Sequence, residues 1–114
     1  MKEVRELKLM LHACADVTRL RILRLLADGR EMSVSDLTAS LRISQPLVSW
    51  HLRILRRSGL IVMRRIGRLA LYRLHRPGWE NVKARMDQLL SASEAPAWEA
   101  EPARGLAPLR EPTL

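Results

Sequence analysis

Within residues 44–60 an amide, a hydroxyl and several guanidinium groups recur at a spacing that predicts one face of a helix. Gln45, Ser49, Arg53 and Arg56 share that face, while Val48, Leu52 and Leu55 recur on the opposite side. Ser44 suits an N-cap, and Pro46 is tolerated in the first turn, where its missing N–H is not needed. Gly59 ends the helix. Amide and hydroxyl groups can read base edges, and guanidinium groups grip phosphates. A solvated amphipathic surface helix would show the same pattern, so the neighbouring segments must decide.

Other chemistry is thin. Cys14 is the only cysteine, which excludes an internal disulfide. His12, Cys14, His51 and His75 are scattered without ligand spacing, and His12 and Cys14, two apart on a helix, point in different directions. No metal site is expected. On an apolar stripe Cys14 reads as a small buried hydrophobe, with a redox sensor as the alternative. The chain has no glycine-rich phosphate loop, no nucleophile elbow and no paired catalytic carboxylates. An enzyme is therefore not expected, nor a cofactor.

The elements around residues 44–60 favour nucleic acid. Residues 33–41 predict another short helix, with Ser33 as cap, Asp36 three residues on, and Leu37 and Leu41 facing inward. Only Arg42 and Ile43 separate it from Ser44, which makes a helix-turn-helix. Downstream, residues 60–65 and 69–74 are rich in strand formers, joined by Ile66-Gly67-Arg68. Arg64, Arg65, Arg68 and Arg73 thus gather on one hairpin, or wing. Charged edges also keep sheets from aggregating, but four arginines beside a recognition-type helix point to nucleic acid. The expected fold class is mostly α with a β-hairpin, a winged helix-turn-helix.

Three further helices are predicted. The first covers residues 3–14, with Val4, Leu7, Leu11 and Cys14 on one stripe and Met10 beside it. The second starts near Asp16, as N-cap, and runs through Leu20, Ile22, Leu23, Leu25 and Leu26 to Asp28-Gly29. The last opens at Pro77 and carries Trp79, Val82, Met86, Leu89 and Leu90. These terminal stripes are either ordinary monomer core or a homodimer interface of Val4, Leu7, Leu11, Trp79, Val82, Met86 and Leu89. A two-fold dimer would set two recognition helices about 34 Å apart and read an inverted repeat. Residues 1–92 form the expected folded unit. Residues 93–114, punctuated by Pro96, Pro102, Pro108 and Pro112, read as a mobile tail, the docking of Trp98 or Leu106 being the lesser alternative.

Charge agrees with this division. The 114 residues carry a net +8. Residues 1–92 hold 18 Lys and Arg against 8 Asp and Glu, whereas residues 93–114 hold 2 against 4. The basic part is the folded part, and its partner is an anionic polymer or surface. No apolar run approaches a membrane span, and Met1-Lys2-Glu3 leads into alternating charges, so a cytoplasmic protein without a membrane partner is expected.

Residues 12–75 resemble the ArsR family of bacterial winged-helix repressors. The resemblance rests on Asp16-Val17-Thr18-Arg19-Leu20-Arg21-Ile22-Leu23, Glu31-Met32-Ser33-Val34-Ser35-Asp36-Leu37, Ser44-Gln45-Pro46-Leu47-Val48-Ser49-Trp50-His51-Leu52, Ser58-Gly59-Leu60-Ile61 and the glycine-turn wing. It implies a homodimeric, duplex-DNA-binding transcription factor, usually a repressor, whose operator affinity changes with a small-molecule effector. It assigns recognition to Gln45, Ser49 and Trp50, and backbone contacts to Arg64, Arg65 and Arg68. It makes His51 a packing or hydrogen-bonding residue. Three departures stand out. Val17 replaces the family's usual Pro, and Trp50 replaces a basic or polar residue. Ser33-Val34-Ser35-Asp36-Leu37 stands where metal-sensing members have Cys-Val-Cys-Asp-Leu, and the last helix has no histidine for the family's second metal site. Two alternatives to a metal-independent repressor remain: a winged helix serving as a protein-interaction module, and a metal- or thiol-responsive repressor using Cys14.

Overall fold

The computed structural model describes residues 2–91. The tail expected over residues 93–114, and the boundary expected at 92, lie outside the described residues. Eight elements follow in order: α1 (Lys2–Cys14), α2 (Val17–Leu26), β1 (Met32–Ser33), α3 (Val34–Leu41), α4 (Gln45–Arg57), β2 (Ile61–Ile66), β3 (Leu69–Leu74) and α5 (Arg76–Leu90). The strands form one antiparallel sheet in the order β1-β3-β2. This is a winged helix-turn-helix.

Local chemistry sets the helix starts. Asp16 caps α2 by accepting the Arg19 backbone N–H at 3.0 Å. At α3, Ser33 Oγ accepts from the Asp36 N–H at 3.1 Å while Asp36 Oδ2 accepts from the Ser33 N–H at 3.0 Å, a reciprocal capping box. Ser44 Oγ takes the Leu47 N–H at 3.4 Å at the start of α4. Between α3 and α4 the chain turns at Arg42, whose φ of +57° is left-handed.

The core joins every helix. Ile22 and Leu26 of α2, Leu37 of α3, Val48, Leu52 and Leu55 of α4, and Leu60 and Ile61 are all closed to solvent. The buried stripe of α4 is the one its spacing predicts. That burial fixes which α4 residues face outward.

Two details differ from expectation. The two-residue strand β1 pairs with β3, Met32 opposite Tyr72, and two residues are too few to show an alternating pattern. In the wing, Ile66 pairs with Leu69, so the connection is the two-residue turn Gly67-Arg68 and not the expected Ile66-Gly67-Arg68. Gly67, at φ +59°, supplies the positive φ that tight hairpins of this twist require.

The terminal helices correct the expected interface. α1 lies against α5 within the chain, with an ion pair of Arg85 Nη1 and Glu6 Oε2 at 2.9 Å. Leu7 and Val82 are consumed by this packing, each buried in the chain's own core, and so leave the set of candidate interface residues. Their positions on the inward side of each stripe explain it. Val4, Leu11, Trp79 and Leu89 stay exposed, and Met86 is half-buried.

Candidate nucleic-acid interface

Gln45, Trp50, Arg53 and Arg56 are exposed on the outer side of α4, with Ser49 half-buried among them. Ser44 is also exposed, its hydroxyl engaged in the cap. Ser49, Arg53 and Arg56, joined by Arg57 and Tyr72, line an open hollow of about 350 Å³. Three guanidinium groups and two hydroxyls around such a space suit a phosphate and its sugar. Arg57 and Tyr72 were missed by the sequence reading. Tyr72 lies on β3, and it reaches the hollow through its pairing with Met63 of β2, the wing strand that packs on α4.

The wing arginines are not equivalent. Successive strand residues project to opposite faces, so Arg64 and Arg65 diverge. Arg65 shares a face with Met63 and its cross-strand partner Tyr72, the residue that borders the α4 hollow. Arg64 turns to the other face and meets Glu31 through two parallel bonds, with Nη2 to Oε1 at 2.7 Å. The Arg64 guanidinium holds the Glu31 carboxyl below its ordinary value of 4.5, and Arg73 on the same face adds to this. Arg68 is exposed at the wing tip.

Behind α4 lies a buried polar cluster. Arg19 is only 5% exposed. Its Nε donates to the Ala13 carbonyl at 2.7 Å, its Nη2 to the His12 carbonyl at 3.3 Å, and its Nη1 meets His51 Nδ1 at 3.2 Å. A guanidinium can only donate, so Nδ1 accepts and the imidazole proton sits on Nε2. Burial lowers the His51 pKa, the nearby Arg19 charge lowers it further, and Asp16 opposes both. His51 is thus the neutral hydrogen-bonding residue the resemblance implies. Its ring meets Trp50 edge-on, centroids 5.0 Å apart, and the Arg19 guanidinium carbon is 5.9 Å from the Trp50 ring centroid. Nothing in the periodicity singles out Arg19, which reads as an ordinary solvated helix position.

The residues aligned with the family's thiolate site do not fit a soft metal. Ser33 and Asp36 bond each other in the capping box, and hydroxyls lack the charge that thiolates supply. Among the described residues no group of three or more His, Cys, Asp or Glu lies close enough to hold a metal ion. Cys14 is half-buried, and burial pushes its thiol upward, away from the reactive thiolate.

A helix-turn-helix with an exposed polar recognition face and a basic wing defines a DNA-binding transcriptional regulator. The family model for bacterial regulatory proteins of the arsR family matches residues 16–62. Over 113 residues the chain is 35% identical to the arsenic resistance transcriptional regulator ArsR1 of Pseudomonas putida, covering 97% of this chain and 85% of that one. It is 48% identical over 67 residues to the arsenical resistance operon repressor of Escherichia coli, 57% of each chain. The solved structure of an ArsR-like transcriptional regulator from Rhodococcus sp. RHA1 matches with a TM-score of 0.71 at 26% identity, covering 78% of this chain and 83% of that one. This protein belongs to the ArsR family of transcriptional regulators.

Proposed function

We propose that this protein is a cytoplasmic, homodimeric repressor that binds an imperfect inverted repeat in duplex DNA and operates without the family's cysteine metal site. The observation that carries the reading is the continuity of one surface, from the outward face of α4 through the Arg57–Tyr72 hollow to Arg65 at the wing. On this reading Gln45, Ser49 and Trp50 contact bases or the sugars beside them. Ser44, Arg53, Arg56, Arg65 and Arg68 hold the backbone, and Arg64 contributes least because Glu31 already engages it. Repression follows the printed name of the Escherichia coli relative. Both curated relatives described above are named for arsenic resistance, yet Ser33 and Ser35 supply no thiolate, so regulation has moved to an organic ligand or been lost altogether.

The dimer is built from the exposed remainder of the terminal helices, Val4 and Leu11 of α1 with Met86 and Leu89 of α5, with Trp79 at the margin. Both functions lie in residues 1–92, and deleting residues 93–114 leaves dimerisation and operator binding unchanged.

Selection of duplexes from a random pool by the purified protein tests this reading. The expected product is one two-fold-related sequence, bound with affinity that falls steeply as salt rises. Gln45→Ala should weaken that sequence by about 1–3 kcal/mol and leave random DNA nearly unaffected. Equal loss on both would remove α4 as the reading helix, and weak retention on heparin at low salt would favour a protein-interaction module.

A further inference from the structure

The last carbonyls of α1 have no partners within their own helix. The His12 carbonyl accepts the Ala15 N–H at 3.1 Å, and Arg19, reaching across from α2, donates from one guanidinium both to that carbonyl and to the Ala13 carbonyl. The third arm of the same group reaches His51 on α4. A single planar fork therefore spans the C-terminus of the helix bearing Val4 and Leu11 and the helix bearing Gln45 and Ser49. Trp50, half-exposed on the DNA side, leans on the same cluster through the His51 ring.

Simple stabilisation accounts poorly for this arrangement. The group is 5% exposed, and the bonds of its guanidinium go to two carbonyls and an imidazole, not to a carboxylate. The Asp16 carboxylate is near enough to attract the charge but does not bond the guanidinium, so much of the desolvation cost stands, and an apolar side chain of equal length would fill the space at less expense. What an apolar chain could not do is fix direction. Three donors at set angles hold α1, α2 and α4 in one mutual orientation, which a lysine's single ammonium cannot reproduce.

We propose that Arg19 is the positioning residue that locks the recognition helix to the dimer helix, and so sets the half-site spacing this protein accepts. The inference rests on the proposed dimeric, operator-reading function. In a symmetric dimer the separation and rotation of the two α4 helices depend on how each is held to its own α1. Loosening that joint does not change which groups touch DNA. It changes how sharply the pair selects one geometry.

The test uses the full-length protein and the duplex it selects, together with a version carrying one extra central base pair, which rotates one half-site by about 35°. For the wild type the insertion should weaken binding by about tenfold or more, the range of a lost directional contact set. In Arg19→Met, affinity for the selected duplex should fall about tenfold while the insertion penalty shrinks to about threefold or less. Arg19→Lys should follow Arg19→Met. Leu25→Ala, a partly buried α2 residue outside the cluster, should lose stability yet keep the full penalty. An unchanged insertion penalty in Arg19→Met, or the same flattening in Leu25→Ala, would overturn the inference. A wild type that selects no duplex would instead overturn the reading on which it rests.

Discussion

Gly78, in the first turn of α5, packs directly against the backbone of Gly59 at the end of α4. A Cβ at position 78 would stand 1.8 Å from the Gly59 carbonyl oxygen, far inside contact distance. Gly59 itself sits at φ +80°, a left-handed turn that lets the chain leave α4 and enter β2. The turn that leaves α4 and the first turn of α5 thus meet at two glycines.

Gly78→Ala should destabilise the protein, although Gly to Ala within a helix ordinarily stabilises by about 0.5–1 kcal/mol. Here the opposing contact is backbone, which cannot rotate away, and overpacking of that kind costs about 1–3 kcal/mol. The overpacking term wins, and the urea midpoint should fall. A rise in the midpoint would mean that α5 can shift on α4 without loss.

That contact shows what the sequence conceals. The helix caps at Asp16, Ser33 and Ser44, the buried stripe of α4 and the wing strands were legible because each depends on neighbours within a few residues. Gly59 was legible as a helix end but not as the seat for Gly78, nineteen positions on. The same limit hid Arg19, whose partners lie on two other helices, and the pairing of Glu31 with Arg64 across 33 positions. Leu7 and Val82 were placed at a dimer interface because periodicity identifies an apolar stripe without saying which part the chain's own helices cover. Arg64 and Arg65 looked equivalent in sequence, and strand alternation separates them.

Glu31→Gln should strengthen DNA binding. The Glu31 carboxylate competes with phosphate for Arg64, and its removal both releases the guanidinium and raises the net charge by one. Exposed ion pairs contribute only about 0.2–1 kcal/mol to stability, so the fold should persist. On random duplex DNA the salt slope should steepen by about one. Conversely, Arg64→Ala should cost less affinity than Arg65→Ala, and the reverse order in a filter-binding titration would show that DNA displaces Glu31 in the complex.

Acidification should weaken the fold through His51. Burial and Arg19 hold its pKa below the ordinary 6.5, while Asp16, 3.9 Å from Nδ1, pulls it part of the way back. Between the folded pKa and 6.5 the unfolded chain binds the proton better, so stability rises with pH across that window. The contribution is complete above 6.5 and is lost as pH falls below it. Asp16, Asp28, Glu31 and Asp36 have lowered pKa values, so their contributions are lost only below their ordinary values of 3.8 to 4.5. Thermal unfolding from pH 7.5 down to 5.5 should therefore show a fall in midpoint that His51→Gln reduces. Identical slopes for the two proteins would assign the loss to other groups.

Operator binding should not respond to soft or borderline metals through the position of the family's cysteine site. Ser33 is buried and its hydroxyl caps α3, with Asp36 returning the bond, so both residues already serve the fold. Replacing Ser33 by Ala should accordingly cost about 1 kcal/mol as a lost cap, independent of any metal. A neutral hydroxyl offers neither the charge nor the polarisability that arsenite, zinc or cadmium require, and Cys14 cannot complete a coordination shell by itself. Titrating the protein–DNA complex with each of the three should leave it intact in wild type and in Cys14→Ser. Stoichiometric release of DNA from the wild type would overturn the prediction. If Cys14→Ser then abolished that release, Cys14 would be the anchor of the sensing site.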